Sequence, residues 1–277
     1  MSLKNYTMNL ENETINQLPD QFKKEFRRII KDNINGSSII LEKTISFLKQ
    51  MLSHNINLSK DHFLSIVLFI CKTHSSMALL ITFSNDLFNF LSEEKTELNT
   101  KINDEKVLQF LIDYEDQLIK SNENIQKYTY EHLVKFSKIA TLSASGTVNA
   151  CIQHLAKQNK DLIITCAESR PKNEGKIQAI EFAEKNIKTI LMTDVSLFSN
   201  IQEFDCVLVG ADAIGINGIV NKIGTYPLAQ LATNFEIPVY CMSKTNKILP
   251  YDYKLAKEKE KPSKDIIDKH HPQLKVD

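Results

Sequence analysis

The residues best suited to chemistry crowd into one stretch, FDCVLVGADAIGINGIVNKIGTYPLAQLA, from Phe204 to Ala232. An acid, Asp212, stands just after the apolar run Cys206-Val207-Leu208-Val209, and Lys222 follows with Asn217 and Asn221 close by. The chain has only seven glycines, and Gly210, Gly215, Gly218 and Gly224 all fall here. Glycine serves where φ must be positive or where backbone must approach another group closely. Thr225 can cap a following helix, Pro227 is tolerated in its first turn, and Leu228, Leu231 and Ala232 give it an apolar face. One acid, one lysine and exposed backbone N–H groups beside a helix N-terminus suit a small phosphorylated, polyhydroxylated ligand. The same residues also make an ordinary strand-to-helix connection with a solvated lysine. Residue types alone weigh the two readings equally.

Other polar clusters follow other apolar runs. Ser143, Ser145, Gly146 and Thr147 form a hydroxyl-rich loop and helix cap after the first run. Ala167-Glu168-Ser169-Arg170-Pro171 follows the second, Asp194 the third and Asp212 the fourth. If the runs are parallel strands, their carboxyl ends share one edge, where open α/β sheets bind ligands. Convergent acids, Arg170 and hydroxyls would then make a sugar-phosphate site. Asp194 and Ser169 read better as helix-capping and loop-closing groups than as ligand contacts.

The elements that must position these residues show in the periodicity. Short apolar runs at residues 138–142, 162–166, 189–192, 206–209 and 239–242 alternate with helical stretches, the pattern of βαβ units and a parallel sheet. Right-handed crossovers make that a doubly wound, Rossmann-like domain. Up to Ile125 the pattern is helical. Phe22, Phe26, Ile29 and Ile30 form one stripe, and Ile40, Thr44, Leu48 and Met51 a second. Phe63 to Cys71 is apolar nearly all round and therefore central to the bundle. Met77 to Leu91 makes another helix, and Val107, Phe110, Leu111, Tyr114 and Leu118 mark a fifth. The polar stretch Lys120 to Lys127 reads as the boundary, with Tyr128 to Lys138 a helix joining the halves. The expected fold class is α/β: an N-terminal all-helical domain, residues 1–125, then a Rossmann-like parallel-sheet domain, residues 126–277, with its ligand site at the strand carboxyl ends.

Composition narrows the function. With 42% hydrophobic and 25% charged residues the chain has the make-up of a globular protein. Lysine plus arginine and aspartate plus glutamate balance at 34 each, so no global field points to nucleic acid, and direct DNA binding is not expected. The N-terminus is polar without a hydrophobic signal core, and the longest apolar run is too short to span a bilayer, so a cytoplasmic protein with no membrane partner is expected. Cys71, Cys151, Cys166, Cys206 and Cys241 are widely spaced with no CxxC pair, the pattern of reduced, buried thiols. The turn after the first strand reads SASGT rather than GxGxxG, so NAD and FAD are not expected, and no cofactor is implied. His270-His271 lies in a charged tail with no carboxylate pattern suited to a metal beside it, so no metal is expected there.

GADAIGINGIVNKIGT, together with AESRPKNEGK and the SASGT turn, resembles one protein family from Ser137 to about Lys247. It comprises the α, β and δ regulatory subunits of eukaryotic initiation factor 2B, their archaeal relatives, ribose-1,5-bisphosphate isomerase and methylthioribose-1-phosphate isomerase. NGSSIILEKTI and SSMALLITFSN carry a weaker likeness into the helical half. The resemblance implies the same two-part fold and homodimers or larger oligomers. In the isomerases it implies a Cys after the first strand and the Asp of GAD as the acid–base pair. The acid is kept as Asp212, whereas the Cys position is Ser143, a far poorer proton carrier. Asn221 and Lys222 match the family's substrate-contacting pair. Gly36 and Ser37 match its phosphate-binding turn, where Asn35 replaces the isomerases' Arg. A segment like the family's NPxFDxTP is not recognisable toward the C-terminus.

The expected function is therefore an initiation factor 2B-like protein that binds a sugar phosphate or nucleotide and is regulatory or weakly catalytic. A translation initiation factor is a further implied partner. The alternative is an aldose–ketose isomerase, an intramolecular oxidoreductase, acting on a phosphorylated ribose derivative with Asp212 and Ser143 as catalytic residues. Expected ligand contacts are Gly36, Ser37, Ser145, Gly146, Thr147, Arg170, Asn221 and Lys222. Cys166 is a substitute thiol near the same edge, though not the favoured one.

Overall fold

The computed structural model describes residues 18–32, 35–54, 56, 58–93, 100–249, 251, 253, 265–267 and 273. The His270-His271 pair lies outside them. Packing sorts the chain into two compact units. One holds the described residues within Met1–Lys120, Asp212–Gly218 and Thr245–Ala256, and the other those within Ser121–Ala211, Ile219–Lys244 and Lys257–Asp277.

The first unit is built on helices α1 (Asp20–Ile30), α2 (Ser37–Ser53), α3 (Lys60–Thr73), α4 (Ala78–Glu93) and the start of α5 (Asp104–Leu133). Every residue from Phe63 to Ile70 is buried, so α3 occupies the middle of the bundle, as its all-round apolarity requires. Phe26 has no exposed surface and packs its ring 5.9 Å from that of Phe47 and 5.7 Å from that of Phe69. Lys60 is 1% exposed, and its ammonium donates to the carbonyl of Leu91 at 2.9 Å.

His74, at the end of α3, is buried, and its Nε2 lies 2.9 Å from the Ile29 carbonyl. Burial pulls its pKa below the ordinary 6.5, against smaller upward pulls from that carbonyl and from Asp32. A folded-state pKa below the unfolded one means that stability is fully present above pH 6.5 and is lost as pH falls. The urea midpoint should therefore drop between pH 7 and 5.5, and His74→Gln should make that drop shallower.

The helix continues through the expected boundary: α5 runs unbroken from Asp104 to Leu133, and the division between the two units falls within it, between Lys120 and Ser121. The polar stretch holds no Gly or Pro, and Ser, Asn and Glu are acceptable in a solvated helix.

In the second unit the five parallel strands are β1 (Lys138–Thr141), β2 (Ile163–Ala167), β3 (Lys188–Met192), β4 (Cys206–Gly210) and β7 (Val239–Met242), in the order β3-β2-β1-β4-β7. Crossovers run through α6 (Gly146–Gln158), α7 (Glu174–Glu184), α8 (Asp194–Ser199) and α9 (Thr225–Asn234). Strand alternation splits the core into two layers. Ile139, Ile164, Cys166 and Leu208 pack with Val148, Ile152, Ala179 and Phe182, so α6 and α7 cover one face. Ala140, Leu142, Val207 and Val209 pack with Leu197, Leu228 and Ala232, so α8 and α9 cover the other. The fold is thus α/β, a helical region followed by a doubly wound parallel sheet. The short strands β5 (Ala213–Gly215) and β6 (Gly218–Val220) are an addition that the sequence pattern, too brief for period-2 alternation, does not reveal.

Candidate functional site

Strand order reverses between β1 and β4, which are hydrogen-bonded neighbours. Crossovers leave that point in opposite directions, so a crevice opens at the strand carboxyl ends. Ser143 and Gly210 stand at those two ends.

Ser143 adopts φ 72°, a left-handed conformation costly for a residue with a β-carbon. Two bonds hold it there. Its N–H donates to Ser169 Oγ at 2.8 Å, and its hydroxyl donates to Glu174 Oε1 at 3.3 Å. Ser169, itself at φ 67°, is buried and donates its own hydroxyl to the Ala167 carbonyl at 3.1 Å. The backbone N–H groups of Ser169 and Arg170 donate to the two carboxylate oxygens of Asp194, at 2.7 and 2.8 Å. Asp194 and Ser169 therefore close the loop after β2, the role expected of them.

Glu174 opens α7, where the helix dipole favours an acid. The same Oε1 that accepts from Ser143 lies 2.5 Å from the ammonium of Lys222. Both side chains of that ion pair are largely sheltered, at 14% and 23% exposure. Gly175, next along, has no room for a side chain: an added Cβ would lie 1.8 Å from the Ala167 carbonyl oxygen. That close approach brings the start of α7 down onto β2 and so places Glu174 beside Ser143.

Lys222 is fixed from the other side. Thr225 donates its hydroxyl to the Lys222 carbonyl at 2.7 Å, and Asn221 Nδ2 donates to that hydroxyl at 3.1 Å. Thr225 therefore does not cap α9; Gly224 occupies that position with φ 96°, which a larger residue would resist. On the β1 side Ser145 caps α6, accepting from the Val148 N–H at 3.4 Å. Gly210 lets this cap pack on β4, since a Cβ there would lie 2.5 Å from Ser145 Oγ. Gly146 begins α6 with open space where its Cβ would be, and Thr147 is buried.

The second unit thus joins Ser143 and Lys222 through Glu174, sets Asn221 at the root of Lys222, and places Ser145, Gly146 and Thr147 at the N-terminus of α6. Arg170 enters the network through its backbone amide. Gly36 and Ser37 belong to the first unit, as the cap and first residue of α2. Asp212 follows β4 in the chain but packs with the first unit, where its carbonyl accepts from the Ala78 N–H at 3.2 Å and so caps α4. Cys166 is 1% exposed, and burial pushes its thiol pKa up to about 12. No cluster of metal-binding side chains is present among the described residues, and no helix among them is long and apolar enough to cross a membrane.

The residue sequence reasoning missed is Glu174. Its local signals are its place in the AESRPKNEGK stretch and an acid at a helix start immediately before a glycine. Chemically, a carboxylate that accepts from a serine hydroxyl and pairs with a lysine orients both groups. The N-terminus of α6 follows β1 in the same unit, and a helix N-terminus favours anions.

Comparison with known proteins agrees with this architecture. The chain is 32% identical over 154 residues to ribose 1,5-bisphosphate isomerase of Methanocaldococcus jannaschii, covering 55% of this chain and 50% of that protein. It is 35% identical over 130 residues to methylthioribose-1-phosphate isomerase of Schizosaccharomyces japonicus, covering 45% and 36%. It thus spans half or less of the length of these curated relatives. The translation initiation factor eIF-2B of Pyrococcus horikoshii superposes with a TM-score of 0.74 at 23% identity, over 87% of this chain and 83% of that one, a likeness of fold. The sequence profile of one family matches residues 33–275, nearly the whole chain, and so this protein belongs to the Initiation factor 2 subunit family.

Proposed function

We propose that this protein binds a phosphorylated sugar or nucleotide at the carboxyl ends of its parallel strands and acts in regulation, with slow turnover or none. The observation that carries this reading is the Ser143–Glu174–Lys222 chain at the switch point. It offers an oriented hydroxyl, a carboxylate and a cation to a polyhydroxylated phosphate. Ser145, Gly146 and Thr147 contribute the helix N-terminus, and Arg170 and Asn221 polar groups. Weak catalysis follows from Ser143 standing where a thiol would carry the proton, with Cys166 buried and unavailable. A homodimer or larger assembly, a translation initiation factor as partner and a cytoplasmic setting belong to the same reading.

The second reading, an aldose–ketose isomerase for a phosphorylated ribose derivative, is favoured by Asp212 and by the similarity to the two isomerases. Asp212 would then be the acid–base group, with Ser143 or a bound water in the other role.

Single-turnover NMR with ribose 1,5-bisphosphate and methylthioribose 1-phosphate separates the two, alongside calorimetric binding. The expected result is binding without appreciable turnover in the wild type, and turnover gained by Ser143→Cys. Lys222→Met should weaken binding by roughly ten- to a hundredfold, the worth of a hydrogen bond to a charged group. Wild-type turnover abolished by Asp212→Asn would establish the isomerase instead. Absence of both binding and turnover in every variant would overturn both readings.

A further inference from the structure

Gln178 is 2% exposed, and neither its amide nitrogen nor its amide oxygen has a hydrogen-bond partner among the described residues. A buried amide orphaned at both ends is rare, because native structures pair nearly all buried polar atoms. Two further orphans lie in the same part of the fold. Thr141 is 1% exposed with its hydroxyl unpartnered, and Glu174 has its Oε2 buried and unpartnered, although its Oε1 serves Ser143 and Lys222.

The fold puts the three on one side of the sheet. Glu174 and Gln178 are four residues apart on α7, so their side chains stack along one face of that helix. Ala179 and Phe182 of α7 belong to the same apolar cluster as Ile139, Ile164 and Cys166. Thr141 is two residues beyond Ile139 and sits opposite Cys166 and Leu208 in the parallel register, so its side chain points to that same face. A buried hydroxyl, amide and carboxylate oxygen thus lie on the side of the sheet that α6 and α7 cover, with apolar neighbours. Groups in that position suit ordered water, which can donate to the carboxylate and amide oxygens and accept from the hydroxyl and amide N–H, joining atoms too far apart to bond directly.

We infer that Gln178 is a positioning residue: through ordered water it links Thr141 to Glu174 Oε2 and so holds Glu174 in register with Ser143 and Lys222. Gln178 and Thr141 do not touch the ligand. Their effect on binding passes through the orientation of one carboxylate. The functional part of this inference rests on the strand-end site being the ligand site, whereas the water relay itself does not.

The test combines ribose 1,5-bisphosphate titrations of the full chain with crystallography at a resolution that shows water. Gln178→Met removes the amide at similar volume, and Thr141→Val removes the hydroxyl. Each should weaken binding about fivefold, the worth of one net hydrogen bond. The double variant should be no weaker than either single one, because both break the same relay. Thr141→Ser, which keeps the hydroxyl, should bind as the wild type does, an outcome that packing alone does not produce. Density for water within hydrogen-bonding reach of Gln178 and Glu174 is expected. If the wild type binds and Gln178→Met binds equally well, the positioning role is overturned while the site stands. If the wild type does not bind, the site reading fails, and the density decides: bridging water sustains the relay, and its absence overturns it.

Discussion

Replacing Gly175 by alanine should destabilise the second unit by about 3 kcal/mol or more and abolish ligand binding. The added Cβ would lie 1.8 Å from the Ala167 carbonyl oxygen and 2.8 Å from Ser169 Oγ. The first of these is backbone within a strand bonded on both sides, so it cannot swing away as a flexible side chain would. Relief requires α7 to lift, and Glu174 leaves Ser143 and Lys222 when it does. Gly146→Ala is the matched control. A Cβ there meets nothing within 4 Å, and alanine is favoured over glycine in a helix, so stability should hold or rise by about 0.5–1 kcal/mol. If a ligand phosphate approaches this N-terminus, binding should still weaken. Chemical denaturation and calorimetry on the two variants check both statements, and a wild-type melting curve for Gly175→Ala would refute the steric argument.

Phe26→Ala is the corresponding large effect in the first unit, with an expected loss of about 3–5 kcal/mol. The ring is fully buried between Phe47 and Phe69, each of which belongs to a different helix of the bundle. Truncation leaves a cavity that rigid neighbouring rings fill poorly. Hydrogen exchange should show faster opening of α1, α2 and α3. A loss under about 1 kcal/mol would mean that the bundle collapses into the space, contrary to the packing described.

Much of this was legible in the chain. The five parallel strands and their crossover helices follow from apolar runs of strand length between helical stretches, because a sheet covered on both faces demands continuous apolar strands. The central place of α3 follows from its all-round apolarity. Family membership follows from the long GAD…NKIGT stretch, whose residues are too closely spaced for chance. Local chemistry decides these features, and neighbouring residues suffice to read it.

Tertiary structure alone decided the rest. The bond from Ser143 to Glu174 spans 31 positions, and the Lys222 pair is more distant still in sequence, so neither follows from spacing. They exist because β1 lies between β2 and β4, a matter of strand order rather than of any residue's preference. The continuation of α5 through Lys120–Lys127 went unread because polar residues without Gly or Pro suit a solvated helix and a linker equally. Asp212 shows the limit most sharply. Its place after a strand is written in the sequence, but its carbonyl caps α4, because a backbone acceptor bonds whichever free N–H the fold carries to it.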